Sequence, residues 1–147
     1  MKIIFRRFEN VKKENCVPWG TCGESKWRDQ FIPQLKIDYF NPVVENWTPE
    51  CQAEEIKQRQ ECDFVLYVIT PYMRGVYSIA EIVDDSNKRP EKEIFCILKS
   101  ERNGLDFAVF TEVEWKSLNA VKDMVKNNGA KVFEKIEEVA EYLNRSK

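Results

Sequence analysis

Residues 64–69 read Phe-Val-Leu-Tyr-Val-Ile, an unbroken apolar run that stops at Thr70-Pro71. A strand with one wet face alternates apolar and polar residues, so a continuous run of strand length marks a strand buried on both faces. Such strands belong to parallel sheets covered by helices, which is the strongest constraint this chain carries. A second run of the same kind occupies residues 94–98, after a polar stretch over residues 86–92 read as a loop. Weaker strands are expected at residues 37–44, interrupted by Pro42, and at residues 130–133, after Asn128-Gly129. A first strand is expected near residues 16–19, although Pro18 lies inside it.

Helical patterns fill the intervals. Residues 25–35 place Trp27, Phe31 and Leu35 on one face. Thr48-Pro49-Glu50 combines an N-cap, a proline at the first helical position and an acid in the first turn, predicting a helix to about Glu61. Further helices are expected at residues 76–85, 113–127 and 134–144, with residues 99–111 as a loop. Strand and helix therefore alternate along the chain, and 147 residues suit one domain. The expected architecture is a three-layer α/β/α sandwich around a five-stranded, mostly parallel sheet, flavodoxin- or Rossmann-like. In such sheets ligands sit beyond the carboxyl ends of the strands, at the switch point.

Composition removes several function classes. The chain has no histidine, which excludes Ser-His-Asp and Cys-His machinery and histidine-ligated metals. Catalysis must then run on carboxylates, hydroxyls, thiols or lysine. Five cysteines without C-x-x-C spacing argue against a disulfide framework or a zinc site and fit reduced thiols. Basic and acidic residues number 23 and 25 and are interspersed, so no basic tract tracks a nucleic acid. No apolar run approaches a membrane span and the first residues lack a signal-peptide pattern, so a cytoplasmic protein is expected.

The loop Gly20-Thr21-Cys22-Gly23-Glu24-Ser25 follows the first strand. Two glycines there would admit a ligand close to the backbone, or simply make a tight turn. The loop matches neither the dinucleotide nor the triphosphate fingerprint. Cys22 sits where a thiol is easily activated, but it has no histidine to serve as its base. The helix after residues 64–69 carries Ser78, Glu81 and Asp85, three and four positions apart and hence on one face. Spacing alone favours a solvated face; a carboxylate over the ligand crevice is the functional alternative. Trp19, Trp47, Tyr72 and Tyr77 border the same expected crevice, as ligand-stacking rings or as core and oligomer contacts. Asn41 and Asn46 suit either a base edge or a turn. Asp63, at the amino end of its strand, is read as structural.

Three segments, GTCGESKWRD, IDYFNPVVENW and CDFVLYVITPYMRGVYSIAEIVDDSNKRP, resemble the nucleoside 2-deoxyribosyltransferase-like family. The resemblance spans about residues 20–98 of a single domain over residues 1–147. It implies an enzyme that exchanges the base of a deoxynucleoside, or hydrolyses the N-glycosidic bond of a nucleoside or nucleotide. Glu81 matches the family's nucleophile. Glu55, eight positions before Asp63, matches the acid that handles the proton on the base, with Glu54 as its rival. Two departures are visible. Gly75 stands where many members carry an aspartate, leaving Ser78, Asp84 or Asp85 to contact the sugar. Residues 1–18 form a polar, proline-containing lead-in where members begin with a short apolar strand. The substrate contacts expected from the loop, the crevice and the resemblance together are Gly20, Thr21, Cys22, Asn41, Trp47, Tyr72, Gly75, Tyr77, Ser78 and Asp85.

The implied chemistry is a double displacement at C1′ through a glycosyl-Glu81 ester, with partners limited to a nucleoside or nucleotide and a free base. It requires no metal or organic cofactor. The resemblance further implies a homo-oligomer in which a neighbouring subunit completes the pocket near Asn103. Two alternatives remain at this level: an N-glycoside hydrolase on the same residues, and an inactive nucleoside- or nucleotide-binding module. An interaction domain that uses the aromatics for partners is a third.

Overall fold

The computed structural model describes residues 14–145. Most of the lead-in therefore lies outside the described residues. The strands are β1 (Asn15–Gly20), β2 (Asp38–Tyr39), β3 (Phe64–Ile69), β4 (Glu93–Ile97), β5 (Ser100–Asn103), β6 (Asp106–Val109) and β7 (Lys131–Phe133). The helices are α1 (Trp27–Phe31), α2 (Pro49–Glu61), α3 (Tyr77–Lys88), α4 (Glu112–Asn127) and α5 (Ile136–Arg145). Strands β2-β1-β3-β4-β7 form one sheet in that order, and every pairing in it is parallel. This is the expected α/β/α architecture, with the flavodoxin-type strand order.

Period-two alternation sorts each central strand between two cores. Leu66 and Val68 of β3, with Ile94 and Cys96 of β4, pack under Trp27, Phe31, Val139 and Leu143 of α1 and α5. Val65, Tyr67 and Ile69, with Phe95 and Ile97, pack under Ile82, Leu118 and Val125 of α3 and α4. Both faces of β3 are thus dry, which is why its sequence is uniformly apolar. Each such aliphatic side chain contributes roughly 1.5–3 kcal/mol by burial.

Several boundaries differ from the sequence reading, each for a local reason. The helix expected over residues 25–35 is a short α1 followed by a 3-10 turn, Ile32–Gln34, containing Pro33. The strand expected over residues 37–44 pairs only at Asp38 and Tyr39 before Pro42 ends it. That shortness explains how β1 tolerates Pro18. Its carbonyl lies past the end of β2 and accepts from the Arg28 guanidinium at 3.2 Å. α3 continues through residues read as loop, because Ser86 is buried and its hydroxyl donates to the Val83 carbonyl at 2.9 Å. Residues 99–111 hold a hairpin of β5 and β6, whose two-residue turn opens with Gly104 at φ +62°. α4 begins at a capping box formed by Thr111 and Glu114. Among the described residues no helix is long and apolar enough to cross a membrane.

Candidate active site

β1 lies between β2 and β3, so chain growth reverses across the sheet at the carboxyl ends of β1 and β3. Helices lead away from those ends in opposite directions, and a crevice opens between them. Gly20 closes β1 with φ +117°, and a Cβ there would sit 2.0 Å from the Val68 carbonyl oxygen. Only glycine lets the two strands approach so closely at the crevice floor. The loop after it is fastened at several points. The Thr70 N–H donates to the Thr21 hydroxyl at 3.0 Å, and the Thr21 carbonyl accepts from both Trp27 and Arg28. The β5–β6 hairpin grips the loop's far end. Glu101 accepts from the Ser25 hydroxyl and the Lys26 N–H, and Asn103 donates to the Glu24 carbonyl at 2.7 Å.

A cavity of about 470 Å³ occupies this crevice. Its floor is Trp19, Gly20, Cys22 and Arg28; α2 supplies Gln52, Glu55, Ile56 and Arg59; α3 supplies Tyr77, Ser78 and Glu81. The α2 residues recur at helical spacing and share one face. That helix is set by the predicted cap, in which the Thr48 hydroxyl accepts from the Cys51 N–H at 3.3 Å. Pro42 and Trp47 close the side nearest β2, and Trp47 and Tyr77 are 58% and 74% exposed at the mouth.

Glu81 is buried at the centre of this wall. Both its oxygens are engaged: the Trp19 indole N–H donates to Oε2 at 2.9 Å, and Arg59 Nη1 donates to Oε1 at 2.8 Å. Arg59 also donates through Nε and Nη2 to Asp85 Oδ2, at 3.1 and 2.8 Å. The Tyr67 hydroxyl donates to the same oxygen at 2.6 Å, and Arg89 pairs with Asp85 Oδ1. A polar network therefore runs from the cavity wall into the core, with its charges paired and hydrogen-bonded as burial demands.

Burial pushes the Glu81 carboxyl above its ordinary value, and the Trp19 and Arg59 contacts offset that only in part; Asp85 adds to the rise. Burial likewise raises Glu55. Its hydrogen bond with Trp47 opposes the shift, and the neighbouring Glu81 charge reinforces it. Glu81, with a donor on each oxygen including a guanidinium, is equipped to carry the charge. Glu55, facing that charge, is equipped to carry the proton. Chemically the wall presents two carboxyl groups, one held by donors on both oxygens and one beside it, in a cavity of small-molecule size.

Of the residues singled out by sequence, the cavity wall brings together Glu81, Glu55, Gly20, Cys22, Trp47, Tyr77 and Ser78. Glu54 lies outside it, accepting from Gln58 at 2.6 Å. Thr21 is buried and used between strands. Asn41 makes a turn, accepting from the Val43 N–H at 3.3 Å. Tyr72 is buried outside the cavity wall, and Gly75 is exposed with open space around it. Asp85, expected at the sugar, is 0% exposed and committed to Arg59, Tyr67 and Arg89. The face favoured as solvated by spacing is thus buried at Glu81 and Asp85. Asp63 exchanges hydrogen bonds with Asn15 at the amino edge of the sheet, as a structural residue would. Arg59 and Arg28 were not legible as site residues, because a lone arginine in a mixed-charge helix carries no local signal. Among the described residues no three cysteine, aspartate or glutamate side chains cluster to hold a metal ion.

Compared with known proteins, the chain matches no protein-family model and no curated protein sequence.

Proposed function

We propose that the chain is a nucleoside 2-deoxyribosyltransferase-like enzyme, which cleaves the N-glycosidic bond of a deoxynucleoside and passes the sugar to another base. The observation that carries this reading is the placement of Glu81: buried, hydrogen-bonded at both oxygens, and on the wall of a cavity that also holds Glu55. The bond to the base breaks through an oxocarbenium-like transition state, which an anionic carboxylate beside the anomeric carbon stabilises. Glu81 attacks C1′, the C1′–N electron pair leaves with the base, and Glu55 protonates the departing nitrogen. A second base, deprotonated by Glu55, then displaces Glu81 with net retention. Trp47 and Tyr77 at the mouth suit the flat face of the base.

Their exposure also leaves water a route to C1′, which favours a hydrolase on the same residues as the second reading. Incubation with deoxyinosine and adenine separates the two by chromatography. Deoxyadenosine appears if transfer occurs, and hypoxanthine with free sugar if water wins. Glu81→Ala is expected to abolish both while melting as a folded protein, and undiminished turnover in that variant would overturn the reading.

A further inference from the structure

Arg59 is held by Glu81 on one side and by Asp85 on the other, and the two contacts are not equivalent. Asp85 takes Nε and Nη2, is itself fixed by Tyr67 and Arg89, and lies wholly inside the protein. Glu81 takes only Nη1 and stands at the cavity wall. The Asp85 bonds already join α2 to α3. The bond to Glu81 is an addition, aimed at a reacting group. Arg59 also keeps its two hydrogen bonds to Asp85 if Glu81 becomes neutral.

We propose that Arg59 is a positioning residue that sets the balance between free Glu81 and its glycosyl ester, by stabilising the carboxylate that departs in the second half of the reaction. The proposal rests on the transferase reading above. In the first half, a Glu81 oxygen bonds to C1′ as the C1′–N bond breaks; the electron pair goes to the base nitrogen, which takes the Glu55 proton. In the second half the C1′–O bond breaks and its electron pair returns to the Glu81 carboxylate. The incoming base nitrogen bonds to C1′ and gives its proton to Glu55. Glu81 is anionic before and after, neutral as the ester, and partly charged in each transition state. A fixed cation beside it therefore stabilises the free carboxylate most, the transition state less and the ester least. Removing that cation raises the barrier to leaving the ester and lowers the barrier to forming it.

The test is acid-quenched intact-protein mass spectrometry of the wild type, Arg59→Met and Arg59→Lys during turnover of deoxyinosine. The expected result is a ratio of protein carrying one deoxyribosyl group to free protein that rises roughly 10- to 100-fold in Arg59→Met. Arg59→Lys, which keeps a cation but loses the fork, is expected to lie between and carries the test if Arg59→Met fails to melt cooperatively. The first-turnover burst of hypoxanthine should persist in both variants. The acidic limb of their pH–rate profiles should move to higher pH. A variant whose burst falls with steady-state turnover, with no added adduct, would overturn the proposal. A wild type that releases no base would instead overturn the transferase reading, and this proposal with it.

Discussion

The Trp19 indole N–H and the Glu81 carboxylate, 62 residues apart in sequence, meet at 2.9 Å where β1 ends beneath α3. The ring packs on the apolar side chains beneath it, so its donor is fixed in direction. The contact lowers the Glu81 pKa against the upward push of burial. Trp19→Phe removes the donor and keeps an aromatic. On the proposed mechanism Glu81 must be ionised to attack, so raising its pKa moves the loss of activity on acidification to higher pH. The acidic limb of kcat/KM is expected to shift alkaline, and an unchanged limb would count against Glu81 as the titrating nucleophile.

Glu55 faces Glu81 across the cavity and is raised chiefly by burial. Glu55→Gln is expected to slow release of a purine by roughly 10²–10⁴-fold. A nucleoside whose base leaves well without protonation should lose much less. Steady-state rates on the two substrate types provide the check, and equal losses on both would remove Glu55 from the proton path.

Glu93 opens β4 wholly buried, and neither of its carboxyl oxygens has a hydrogen-bond partner among the described residues. Burial first, and then the Asp85 charge, push its pKa from 4.5 to about 8, against the pull of Arg89, Lys92 and Arg59. The folded state therefore holds a proton that the unfolded state releases. Stability from this group is fully present below 4.5 and is lost as pH rises through about 8. The loss is on the order of a few kcal/mol. Glu93→Gln should flatten the fall in Tm across that window and raise Tm at its alkaline end. A wild-type Tm independent of pH there would contradict the assignment.

The sheet was legible in the sequence where burial is two-sided. β3 and the core of β4 announce themselves because both faces of each strand must be apolar. β2 and the β5–β6 hairpin were less legible, for different reasons. β2 is two residues long, and the hairpin is largely exposed apart from Glu101, so neither imposes a pattern. α2 was legible from its cap alone; its face toward the cavity mixes Gln52, Glu55, Ile56 and Arg59, which reads as solvated. Helix spacing put Glu81 on a face that could overlook the crevice, but its expected role, and Glu55 altogether, were reached through family resemblance. The network joining Glu81 to Arg59, Asp85 and Tyr67 depends on contacts 18–26 residues apart, which helical or strand periodicity cannot show.

A covalent sugar on residue 81 is the central claim, and trapping it is the most direct measurement. A nucleoside bearing fluorine at C2′ destabilises the oxocarbenium-like transition state and slows breakdown of the ester. After incubation of the wild-type protein with such a nucleoside and proteolysis, tandem mass spectrometry should place one fluorinated sugar on Glu81. Glu81→Gln should carry none. Label on another side chain, or turnover of the natural nucleoside without any adduct at residue 81, would contradict the account.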